Sequence, residues 1–157
     1  MRRRSQIGLF NKTVSDEEWL AQAKPLYEES ILITAALHKL VASAPLPDDG
    51  DKILRDALNK LSLIGESLKG SPNPASSKAH QAKKNMESAI KSYIKGTKDG
   101  LAFYRGMTGR WGDIYRSGVG LSKLTGGILG GILHNSMKSI NSAQKNMEKV
   151  GAYFSNL

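Results

Sequence analysis

The residues that could do chemistry in this chain fall into three sets: three histidines, three Ser-x-x-Lys pairs, and a stretch that mixes arginine with aromatic rings. His38, His80 and His134 have neither a carboxylate nor another histidine three or four positions away. The Glu-x-x-His and His-x-x-x-His spacings of helical metal sites are therefore absent. These histidines read as core-edge or solvent residues. Ser88/Lys91, Ser92/Lys95 and Ser142/Lys145 match the nucleophile-plus-amine spacing of penicillin-binding hydrolases, but the partner motifs are missing. There is no G-x-S-x-G elbow and no G-x-x-x-x-G-K-[ST] loop. The chain contains no cysteine, which removes disulfides, thiolate nucleophiles, cysteine zinc sites and iron–sulfur clusters. These observations predict a non-enzymatic protein without a cofactor, a metal or a small-molecule substrate.

The third set points to binding. "FYRGMTGRWGDIYRSGVG", Phe103 to Gly120, spaces Arg105, Arg110 and Arg116 among Phe103, Tyr104, Trp111 and Tyr115, with glycines between. Trp and Tyr favour the headgroup layer of a membrane, and arginines favour anionic lipid. The same residue types hold phosphates and stack on unpaired bases in nucleic-acid binders. A third reading makes the rings a small core under the end of a helical bundle. "MRRRSQIGLF" sets Arg2, Arg3 and Arg4 beside Ile7, Leu9 and Phe10, like an accessory anchor. Phe10, Trp111 and Tyr115 are the side chains expected to insert into an apolar layer. Gly126/Gly130 and Gly127/Gly131 form overlapping G-x-x-x-G pairs, which predict close helix packing within the protein or across a homo-oligomer.

The charge is uneven. Of the net +9, none comes from residues 1–69, where ten Lys/Arg face ten Asp/Glu; residues 70–157 hold thirteen against four. Such a field attracts phosphate-rich partners. The segment after the basic head is too short for a signal peptide. The run Leu124 to Met137 falls short of the ~20 residues that span a bilayer. The expected location is cytoplasmic or membrane-peripheral.

Helices must position these groups. Ser15-Asp16-Glu17-Glu18 fits a capping box, and Trp19, Ala23, Leu26, Ile33, Leu37 and Leu40 form a helical stripe. Pro25 predicts a kink or a second start within it. "APLPDDGD" at 44–51 is a turn signal. Leu54, Ala57, Leu58, Leu61, Ile64 and Leu68 predict a second helix ended by "KGSPNP" at 69–74. Ala79, Ala82, Met86, Ala89 and Tyr93 then follow a heptad that places Lys84, Lys91, Lys98 and Arg105 on the far side. Gly96 and Gly100 predict an early end to that helix. Leu133, Ile140, Met147 and Phe154, with the companion seam Leu129, Ser136, Ala143, Val150 and Leu157, predict a long final helix that leaves Lys138 and Lys145 outside. "KNME" recurs at 84–87 and 145–148.

No segment alternates long enough for a sheet, so the fold class is all-α, a four-helix-bundle-like arrangement of two helical hairpins. Residues 1–14 read as a flexible basic arm and 15–157 as one helical domain. Within it lie a near-neutral hairpin (15–69) and a basic long-helix pair (75–157) with a glycine-rich junction at 96–131. The expected partner is an anionic membrane surface, with nucleic acid second and a protein partner third.

Overall fold

A computed structural model describes residues 13–42, 49–107 and 128–156. The elements run β1 (Thr13–Val14), α1 (Asp16–Ala42), α2 (Gly50–Gly70), β2 (Asn73–Pro74), α3 (Ser77–Met107) and α4 (Ile128–Ser155). The helices pack against one another as an all-α bundle, α2 against α1 and α3, and α3 against α4.

α1 begins where the Glu18 amide donates to Ser15 Oγ (3.2 Å), one half of the expected capping box. Asp16, Glu17 and Glu18 suit the positive end of its dipole. The helix runs through Pro25 without a second start. Proline costs about 3 kcal/mol inside a helix, and burial of Trp19, Ala23, Ile33, Leu37 and Leu40 outweighs it. α2 is the cleanest amphipath, with Leu54, Ala57, Leu61, Ile64 and Leu68 buried. It stops at Gly70, where the Ser71 amide and hydroxyl both donate to the Leu68 carbonyl (3.2 and 2.6 Å).

The starts of α1 and α3 are tied together. β1 and β2 pair in parallel, Thr13 with Asn73 and Val14 with Pro74. The Ser76 amide donates to Asp16 Oδ1 (3.0 Å), and Ser76 Oγ accepts from the Ala79 amide (3.1 Å), capping α3. The Ser76 hydroxyl, then its amide, hold the Asp16 carboxyl below the usual range. Beside this clasp Trp19, Ala23, Ala79 and Ala82 form a small core, closed by Phe154, whose ring stacks on Trp19 at 6.3 Å.

The seam between α3 and α4 corrects the reading of the glycines. α3 continues through Gly96 and Gly100 to Met107, so the glycine-rich junction does not begin at 96. A Cβ at Gly96 would lie 2.8 Å from Ile140 Cγ1 and 3.0 Å from the Ser136 carbonyl oxygen. Ser136 Oγ donates to the Gly96 carbonyl at 2.6 Å. Each interior glycine costs about 1 kcal/mol locally, and the close approach of two backbones more than repays it. Close packing thus falls on Gly96 and Gly100. At Gly131 an added Cβ would meet nothing within 4 Å among the described residues. Gly130 lies in α4, while Gly126 and Gly127 lie outside the described residues. Along α4, Ser136, Ile140, Ala143, Met147 and Val150 are buried, and Leu133 and Phe154 are half-buried.

Candidate functional site

α3 carries seven Lys/Arg and two Asp/Glu, against two and five on α1. Lys84, Lys91, Lys98 and Arg105 are all exposed. Seven residues apart at 1.5 Å each, they form a row with steps of ~10.5 Å and a length of ~32 Å. Its first two members, Lys84 and Lys91, border an open groove of about 510 Å³ between α2 and α3. Lys69 stands on its opposite bank, Ser88 and Glu87 on its rim, and Ile90 and Ile94 line it. Gly65 brings the two helices together at its floor, since a Cβ there would sit 3.3 Å from Ile90 Cγ2. On the other flank of α3, Lys78 and Lys149 face each other across a groove shared with α4. Lys95 is partly neutralised by its ion pair with Asp99 (3.1 Å).

Each basic residue close to an anionic membrane is worth about 1 kcal/mol. The ~10.5 Å step matches the Debye length of ~8–10 Å, so the four act nearly independently. On such a surface four contributions of that size would add to ~4 kcal/mol, a millimolar affinity.

The lysine next to Lys84 does the opposite. Lys83 is 4% exposed, and its Nζ donates to the Ser71 carbonyl (2.9 Å), the Pro72 carbonyl (3.4 Å) and Asn73 Oδ1 (3.0 Å). Burial pushes its pKa down, against the pull of the Glu87 carboxylate. Lys83 pins the turn after α2 onto α3 and is no part of the outer row. His38 is also less isolated than its sequence neighbours suggest. Its Nε2 shares a 3.0 Å hydrogen bond with Tyr93 Oη in a cleft of about 240 Å³ between α1 and α4. Burial pushes His38 down and Tyr93 up, leaving a neutral imidazole beside a protonated phenol, a poor nucleophile. Among the described residues no group of His, Asp and Glu could hold a metal ion. Of the Ser-x-x-Lys pairs, Lys95 bonds Asp99 in place of Ser92.

The rest of the expected site is divided. Phe103 is buried at 1% exposure, set edge-on to the half-buried Tyr104, whose hydroxyl end fills the space beside Gly50. The first two rings of the arginine–aromatic stretch thus pack into or against the core, while Arg105 beside them is exposed. Arg2, Arg3, Arg4, Phe10, Arg110, Trp111, Tyr115 and Arg116 lie outside the described residues. Lys69 was missed because only the fold brings the end of α2 beside Lys84. No described helix is long and apolar enough to cross a membrane. No protein-family model matches the chain, and no curated protein or solved structure matches it either.

Proposed function

We propose that this is a non-enzymatic binding or assembly protein that docks on an anionic surface, with membrane phospholipid as the first choice. The observation that supports this is the exposed row Lys84–Lys91–Lys98–Arg105 on the most basic helix, with Lys69 across the groove. The field of that face draws the protein to the surface, and apolar side chains such as Phe10, Trp111 and Tyr115 add to the hold. The attachment is peripheral and reversible.

Liposome flotation tests it. The wild-type chain is expected to float with vesicles containing phosphatidylserine and not with neutral ones. K84E/K91E/K98E is expected to lose at least tenfold in binding at unchanged helicity, since three contributions of about 1 kcal/mol change sign. Absence of co-flotation at low salt would remove the membrane reading. A mobility shift on nucleic acid whose log affinity falls linearly with log salt would then select the alternative. Binding to neither would leave a protein partner.

A further inference from the structure

The most exposed large apolar side chain of the described residues lies on the helix farthest in charge from the basic row. Leu32 is 74% exposed and Ile31 beside it 39%, with Ala35 and Ala36 also at the surface. α1 uses one stripe against α2 and meets α4 at few points, so this apolar stretch is left outside the core. An isolated exposed leucine needs no explanation. What gives this one meaning is its setting. Glu28, Leu32, Ala35 and Lys39 are spaced four, three and four apart, which puts all four on one stripe of α1, and all four are exposed.

That stripe is complementary to itself when reversed. We infer that α1 is the contact face of a two-fold homodimer, packed antiparallel on α1 of a second copy. With the axis at the level of Ile33 and Thr34, Glu28 meets Lys39 of the second copy at both ends. Between those pairs Leu32 of each copy sits over the small Ala35 and Ala36 of the other, a knob over a shallow hole. A parallel arrangement would set Glu28 on Glu28 and Lys39 on Lys39, which like-charge repulsion opposes. The acids at the start of α1, Glu17 and Glu18, lie ~15 Å beyond Glu28 along the helix and stay outside the contact. An isologous two-fold contact is the commonest form of homo-oligomer. One helix pair buries less than the ~1,200 Å² of a standard interface, so the dimer is reversible and depends on concentration. The inference does not rest on the basic row of α3, which stays uncovered.

Sedimentation equilibrium on the full chain, over a concentration series without lipid or nucleic acid, decides it. Wild type is expected to fit a monomer–dimer equilibrium. L32E is expected to be monomeric throughout at unchanged helicity. E28K and K39E each turn two attractive pairs into repulsive ones, and each should weaken dimerisation about tenfold. E28K/K39E restores opposite charges across the axis and should return to within about threefold of wild type. A wild-type chain that stays monomeric, or that forms a species other than a dimer, overturns the inference. So does a dimer indifferent to L32E, or a double swap no better than either single.

Discussion

The α3–α4 seam and the α1–α4 cleft start from the same ingredients, a glycine on one helix and a bulky side chain on the other. They end differently. At the seam Gly96 receives Ile140, and the Ser136 backbone follows to 3.0 Å from where a Cβ would stand. At the cleft Gly151 receives the tip of Tyr27, whose hydroxyl lies 2.7 Å from the corresponding point, and a groove of about 240 Å³ remains between the helices. A glycine that admits a backbone welds two helices. A glycine that admits the end of a ring only makes room for it. α1 meets α4 at few points, and it keeps Leu32 and Ile31 at the surface.

Adding one methyl group at each glycine breaks or sharpens this contrast. Gly96→Ala is expected to have the largest effect, a loss of ~1–3 kcal/mol in urea unfolding, because overpacking against backbone exceeds the gain of about 1 kcal/mol in helix propensity. A neutral result would mean that the seam yields as readily as the cleft. Gly151→Ala is expected to go the other way, stabilising by up to ~1 kcal/mol, since only the end of the half-buried Tyr27 ring meets Gly151 and a small tilt of the ring clears it. The smallest effect concerns pH. Burial depresses His38 in the cleft below its ordinary 6.5, so the unfolded chain binds more protons in the window between its folded pKa and 6.5. Stability should therefore fall as pH drops below 6.5 and level off above it. Urea midpoints across about pH 5–8 should show this slope, and His38→Gln should flatten it.

Much of the bundle was legible because its helices carry one-sided patterns that need no partner to be recognised. The α2 stripe Leu54–Leu68 is buried as spaced except for the half-buried Leu58, and so is the α4 stripe Ser136–Val150. What could not be read is what depends on a second element. Gly96 looks like a helix end by propensity, and only Ile140 and Ser136, forty positions on, make it an interior contact. Lys83 and Lys84 are the same residue type side by side. One turns in because the turn after α2 offers it three oxygens, and the other turns out. Phe103 reads as part of a glycine-rich stretch, yet it belongs to a helix that continues and buries it. In the candidate site the exposed row was visible as a heptad position, whereas Lys69 joins it only through the α2–α3 groove.

The clasp between Asp16 and Ser76 bridges 60 positions of sequence. Closing so long a loop costs entropy before any bond repays it, so the clasp is expected to form after α1 and α2 have folded back on each other. A contact made that late is expected to be absent from the rate-limiting step, so Asp16→Asn should speed unfolding and leave the refolding rate unchanged in stopped-flow kinetics.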